Sequence, residues 1–160
     1  MTLLRRYIRS ILTEMEIVHD GAGIVVVRNT EGGWQVLALI DKDGMDVPKG
    51  HADSGETPME TALRETEEET TLPRSALQFQ WGEDPLVIDG HLVMFLASTD
   101  GEPRVPHNPD TGRVEHRGVA WLSFEQMQQE ALGFLTPVIV WAQNKIHEHA
   151  TMNTDGRAGV

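Results

Sequence analysis

The chain has 160 residues, 25 of them acidic against 13 basic, and a formal net charge of −12. That balance excludes a broad basic surface for nucleic acid, although a metal-bridged nucleotide or a locally held RNA 5′ end stays compatible with it. With 39% hydrophobic residues, 24% charged residues and no cysteine, it reads as one soluble domain with no disulfide and no thiolate chemistry, consistent with a cytoplasmic location.

Residues 2–16 predict an amphipathic helix. Leu4, Ile8, Ile11, Leu12 and Met15 share one face and Arg5, Arg6 and Arg9 lie mostly elsewhere. Such a helix suits packing on its own domain or on a second copy, giving a possible homodimer. Its arginines interrupt the apolar residues as no secretory signal would, and no apolar run approaches the ~18 residues of a membrane span, so no membrane partner is expected.

Ala22 to Arg28 predicts a strand, residues 29–33 a turn, and Trp34 to Ile40 an antiparallel partner. A second turn, Asp41 to Gly44, precedes the short segment from Asp46 to Lys49. A helix follows over Pro58 to Thr70, with Thr57 as N-cap, Pro58 at its first position and Glu60 completing a capping box. Met59, Ala62, Leu63 and Thr66 form its buried side.

Leu77 to Trp81 reads as a strand, and Pro85 to Ile88 with His91 to Ser98 as a hairpin turning at Asp89 and Gly90. Residues 99–112 predict a long loop and Arg113 to Leu122 another strand. Ser123 caps a helix to about Leu132, and Thr136 opens a last helix to about His149. Strands alternating with flanking helices predict an α/β sandwich.

The chemistry concentrates in the helix from Pro58. At ~100° per residue, Glu65, Glu68 and Glu69 fall within about one third of its circumference. Three like charges so close repel unless a cation lies among them. A solvated acidic helix face is the plain alternative. Carboxylates suit Mg²⁺, with Mn²⁺ as a possible substitute, and such ions commonly meet a phosphate substrate.

The spacing of Gly50, Glu56, Arg64, Glu65, Glu68, Glu69 and Leu72 resembles the signature of the Nudix hydrolases, in which Gly, Glu, Arg-Glu and Glu-Glu recur at these intervals before a bulky aliphatic residue. Two positions depart from it. Thr66 stands where an aliphatic residue is usual; it can still pack, but its hydroxyl needs a partner. Thr71 replaces a Gly that supplies a left-handed turn, which a β-branched residue adopts poorly, so a changed helix exit is expected.

The resemblance covers roughly residues 20–148. It implies a Nudix-type α/β/α sandwich with a mixed sheet over residues 19–149; the N-terminal helix, residues 1–18, lies outside that core, and the small, polar residues 150–160 read as a flexible tail. It implies that Glu65, Glu68 and Glu69 ligate the metal, with Glu65 or a more distant Glu as base and the Gly50 carbonyl joining the metal shell. It also implies that Glu56 and Arg64 form an ion pair tying loop to helix.

Val47-Pro48-Lys49-Gly50-His51 and the segment from Glu115 and His116 to Trp121 and Leu122 are similar to the asymmetric dinucleoside tetraphosphate hydrolases within that family. Through this likeness Lys49 and His51 become substrate-binding candidates and Glu115 a further candidate for metal binding or water activation. Arg104, His107, Trp34 and Trp81 are open candidates for substrate contact, and Trp121 reads as core. His147 and His149 point apart on a helix and make no zinc pair. The implied activity is Mg²⁺-dependent hydrolysis of a nucleoside diphosphate linked to another group, diadenosine tetraphosphate being the favoured substrate. Pyrophosphate removal from RNA 5′ ends and a non-catalytic nucleotide-sensing module are the alternatives.

Overall fold

The structure is a computed structural model that describes residues 19–106 and 116–155. The expected N-terminal helix and Glu115 lie outside the described residues. Seven strands form one mixed sheet among these residues. In chain order they are β1 (Gly21–Thr30), β2 (Gly33–Asp41), β3 (Gly44–Asp46), β4 (Lys49–His51), β5 (Leu86–Ile88), β6 (Leu92–Ser98) and β7 (Val119–Ser123). The helices are α1 (Pro58–Thr70), α2 (Phe124–Glu130) and α3 (Thr136–Asp155).

β1 is the central strand. Its Gly21 to Val27 pair in parallel with Leu92 to Ser98 of β6. Its other edge is shared: Val27 to Thr30 meet β2, and Gly21 to Gly23 meet β4 in antiparallel register. β2 continues outward to β3 and β7. A strand covered on both faces needs apolar residues at successive positions, as Ile24 to Val27 provide. Alternation then divides them. Ala22, Ile24 and Val26 pack with Leu37, Phe95 and Ala62 of α1. Val25 and Val27 pack with Val36, Met94, Met127 of α2 and Ile139 of α3. The result is the expected sandwich, with α1 on one face and α2 and α3 on the other.

The hairpin turns where expected. Asp89 and Gly90 both hold positive φ, 51° and 72°, as a two-residue type I′ turn requires. The expected strand Leu77 to Trp81 is reduced to one bridge. Gln78 exchanges two backbone hydrogen bonds with Ser98, and a turn closed by Gly82 N–H on Phe79 O then leads the chain away. Leu77 and Phe79 still alternate into the core, so apolar alternation survives without a ladder. The strand expected to begin at Arg113 is seen from Val119. α3 runs to Asp155, so residues 150–155, expected in a flexible tail, are helical.

Thr57 caps α1 by accepting from Glu60 N–H. The Glu60 carboxylate accepts from the Thr57 hydroxyl, whereas the full reciprocal box forms at Ser123 and Gln126. The changed exit expected at Thr71 is not observed. Thr71 takes the left-handed conformation itself, with φ 65° and ψ 1°, and its N–H closes on Glu67 O. The turn is kept and the β-branched residue carries the strain.

Candidate active site

α1 follows β4 through a loop from Ala52 to Thr57, so the helix returns over the strand that carries Lys49, Gly50 and His51. Arg64 joins the parts. Its Nε donates to Glu56 Oε2 at 2.9 Å and its Nη2 to Glu56 Oε1 at 3.0 Å. Nη1 reaches Glu65 Oε1 at 2.9 Å and Glu68 Oε2 at 3.1 Å, and Nη2 also donates to the His51 carbonyl at 2.8 Å. One planar guanidinium thus ties the loop, the strand and two of the three clustered glutamates together. Hydrogen bonds from Arg64 hold the Glu56 carboxyl down at about 2, and hydrogen bonds to Glu56 first, then Glu65 and Glu68, raise the Arg64 pKa. Glu56 also accepts from Asp53 N–H and the Thr61 hydroxyl, which closes the loop on itself.

Gly50 is required by contact. A β-carbon there would collide with the Glu65 carboxylate, which lies over the glycine. Glu65 therefore sits against the β4 backbone. Glu69 meets the same strand one residue earlier, where Lys49 N–H donates to its Oε1 at 3.3 Å. Glu68 is the exposed member, with 58% of its side chain accessible.

Glu69 is 7% exposed, and burial pushes its carboxyl up to about 8, against the opposing charge of His116 and the Lys49 N–H. Its Oε2 is buried without a hydrogen bond. His116 Nδ1 stands 3.3 Å from that atom but without hydrogen-bond alignment. A buried carboxylate oxygen left so is costly and calls for a cation. This orphaned atom, the all-oxygen donor set and the Gly50 surface that admits Glu65 all fit a hard divalent metal such as Mg²⁺ or Mn²⁺.

Two residues without an assigned role in the sequence reading join this cluster. His116 Nε2 lies 3.5 Å from Asp46 Oδ2, and Lys49 Nζ donates to the same oxygen at 2.9 Å. Burial opposes ionisation of Asp46, but His116 and Lys49 outweigh it and hold its carboxyl below the usual range. The Asp46 hydrogen bond and the Glu69 charge raise the His116 pKa against burial. The Asp41, Asp46 and His116 ligand atoms all lie within 4.8 Å of one another, but the Lys49 ammonium already brings positive charge to Asp46. No sequence pattern joins residues 46, 69 and 116, which meet through the β2–β3 and β2–β7 pairings and the packing of α1 on β4.

The two expected substrate contacts differ in disposition. Lys49 turns its ammonium to Asp46 and over the Phe134 ring, 5.5 Å from its centroid. His51 is exposed and borders a pocket of about 240 Å³ with Asp20, Lys49, Gly50, His91 and Leu92. There His91 Nδ1 lies 3.0 Å from Asp20 Oδ2. Larger pockets of about 500 and 340 Å³ lie along α3, away from the glutamates.

Trp34 and Trp81 form an edge-to-face pair, centroids 5.1 Å apart, packed on the α2–α3 side of the sheet. That places them on the face opposite α1. Trp121 packs in the α1-side core, and Arg28 lies 4.4 Å above its ring.

The family model described as NUDIX domain matches residues 18–141. Comparison with curated proteins finds no match. Among solved structures, a C. elegans Ap4A hydrolase in a binary complex superposes with a TM-score of 0.66 at 22% identity, over 80% of this chain and 98% of that one. DR0079 from Deinococcus radiodurans gives 0.57 at 22% identity, over 76% and 80%. The NUDIX domain of Shewanella oneidensis NrtR, complexed with ADP ribose, gives 0.55 at 14% identity, over 94% and 99%. At these identities the likeness concerns the fold, but the family match spans most of the chain and contains the whole cluster around Arg64: this protein belongs to the Nudix family.

Proposed function

We propose that this Nudix pyrophosphohydrolase is Mg²⁺-dependent and cleaves dinucleoside polyphosphates, diadenosine tetraphosphate above others. The observation that carries the site is Arg64, which holds Glu56, Glu65, Glu68 and the His51 carbonyl in one hydrogen-bonded unit. That unit, with Glu69 on the Lys49 N–H, gathers the acidic side chains against the Gly50 backbone. The proposed metal ligands are Glu65, Glu68, Glu69 and the Gly50 carbonyl, with Glu115 as a further contributor. The bound metal would supply charge neutralisation of the phosphate oxygens and a lower pKa for the attacking water.

The chain's own part is positional. Arg64 fixes the angles of Glu65 and Glu68, and Glu65 or a more distant Glu takes the proton from water. His51 borders the open pocket and is placed to meet a phosphate. Lys49 meets one after leaving Asp46. Water adds across one P–O–P bond, so diadenosine tetraphosphate yields ATP and AMP.

The substrate class rests on Pro48-Lys49-Gly50-His51, and the fold likeness to the C. elegans Ap4A hydrolase agrees with it. The test is product analysis by mass spectrometry with Mg²⁺ across diadenosine polyphosphates, dNTPs, ADP-ribose, NADH and 5′-triphosphate RNA. Fastest cleavage of diadenosine tetraphosphate to ATP and AMP supports the proposal. Preference for 5′-triphosphate RNA moves the substrate to RNA ends while keeping the site. Binding without cleavage anywhere on the panel makes the domain a sensor and overturns the enzymatic reading.

A further inference from the structure

His116 is 8% exposed, and its two ring nitrogens face two buried carboxylates. Nδ1 stands 3.3 Å from Glu69 Oε2 and Nε2 stands 3.5 Å from Asp46 Oδ2. Asp46 is itself held twice. Its Oδ1 accepts from Val47 N–H at 2.8 Å and its Oδ2 from Lys49 Nζ at 2.9 Å. The Glu69 carboxylate accepts from the main chain of β4 on Oε1, and the imidazole edge stands beside Oε2 without a hydrogen bond to it.

Burying these ionisable groups together is expensive, and an apolar cluster of equal volume commonly gives equal or greater stability. The arrangement has a clear use if Glu69 must keep one orientation. Each carboxylate oxygen has two lone-pair directions, so the contacts with Lys49 and His116 leave others open to a cation. Partners behind a metal ligand set its angle, and the affinity depends on them.

We propose that Asp46 and His116 are positioning residues for the metal site. Asp46 fixes the imidazole of His116, and the imidazole fixes the Glu69 carboxylate in its ligating orientation. This inference rests on the reading of Glu65, Glu68 and Glu69 as metal ligands. In the nucleotide-free protein a cation held directly by Asp41, Asp46 and His116 would have to displace the Lys49 ammonium from Asp46.

The test is Mn²⁺ binding to the full chain without nucleotide, followed by electron paramagnetic resonance of the free ion. The variants are Asp46→Asn, His116→Gln, His116→Asn and Glu68→Gln, with folding checked by circular dichroism. An Asn amide stands near the place of Nδ1 and a Gln amide near the place of Nε2. His116→Asn therefore keeps a donor towards Glu69, and His116→Gln keeps one towards Asp46. His116→Gln and Asp46→Asn are expected to weaken Mn²⁺ on the order of 10- to 100-fold, and His116→Asn to weaken it less.

Affinities within twofold of wild type in Asp46→Asn and His116→Gln, with Mn²⁺ binding lost in Glu68→Gln, overturn the positioning role and leave the metal site standing. Equal weakening by the two His116 amides overturns the orientation argument. Glu68→Gln binding Mn²⁺ as wild type does removes the metal-site reading itself. If His116→Gln does not fold, the Asp46→Asn affinity decides.

Discussion

The carboxylate of Glu65 occupies the space that a β-carbon on Gly50 would need. Strand β4 and helix α1 can approach closely at this point only because residue 50 has no side chain. Gly50→Ala must push Glu65 away from the strand and off its hydrogen bond with Arg64. Activity is expected to fall on the order of 10²-fold, the usual cost of about 1 Å of misplacement in a reacting site. Mg²⁺ titration of the rate checks the cause: the half-saturating concentration should rise with the loss. An unchanged Mg²⁺ dependence would place Glu65 outside the metal site.

Arg64 uses its planar fork on Glu56 and its remaining donors on Glu65, Glu68 and the His51 carbonyl. Lysine keeps the charge but cannot serve so many acceptors from one point. Arg64→Lys should therefore lose activity roughly 10-fold or more while retaining the fold. A near-normal rate would show that the guanidinium geometry is dispensable.

Glu56 gives the same unit a pH signature. Its folded-state carboxyl lies at about 2, below the ordinary 4.5, chiefly through Arg64. A depressed carboxyl stabilises the fold above its unfolded pKa and loses that contribution as pH falls through its folded one. The melting temperature should thus decline between 4.5 and about 2, and Glu56→Gln should decline less over that window. Parallel curves for the two proteins would remove the ion pair from the stability argument.

Glu69 has the opposite sign. Burial raises its carboxyl from 4.5 to about 8. Folding favours its protonated form, so the contribution is complete below 4.5 and is lost as pH rises through about 8. With a chelator present, wild type should lose melting temperature between pH 4.5 and about 8, and Glu69→Gln should lose less over that window. Mg²⁺ should reverse the loss in wild type and release protons near neutral pH, read by calorimetry in buffers of different ionisation enthalpy. Uptake of protons, or none exchanged, would contradict the protonated state.

The parts legible in the sequence were those encoded locally. β1, β2, the Asp89–Gly90 hairpin and α1 follow from alternation, turn residues and caps, and the spacing from Gly50 to Leu72 carries the acidic cluster within one loop and helix. The Asp46, Glu69 and His116 contacts were not legible, since the β2–β7 pairing and the packing of α1 on β1 and β4 bring together residues far apart in sequence. The bridge at Gln78 escaped for a related reason. Leu77 and Phe79 alternate as a strand would, but whether a ladder forms depends on how much of β6 remains available beside it.

Thr66 and Thr71 each depart from the family signature, and each leaves a visible defect. Thr66 is fully buried and its Oγ1 has no hydrogen-bond partner. Thr71 holds φ 65° with a β-branched side chain. Thr66→Val removes the buried hydroxyl at nearly constant shape and should stabilise by about 1 kcal/mol. Thr71→Gly relieves the left-handed strain, costs some unfolded-state entropy and should net about 1 kcal/mol. Thr66 lies on α1 and Thr71 caps its C-terminal end, so the double variant tests their independence. Additive gains in melting temperature, with the rate kept, would assign both departures to stability alone. A stabilised Thr71→Gly variant with a reduced rate would instead link the strained exit of α1 to activity.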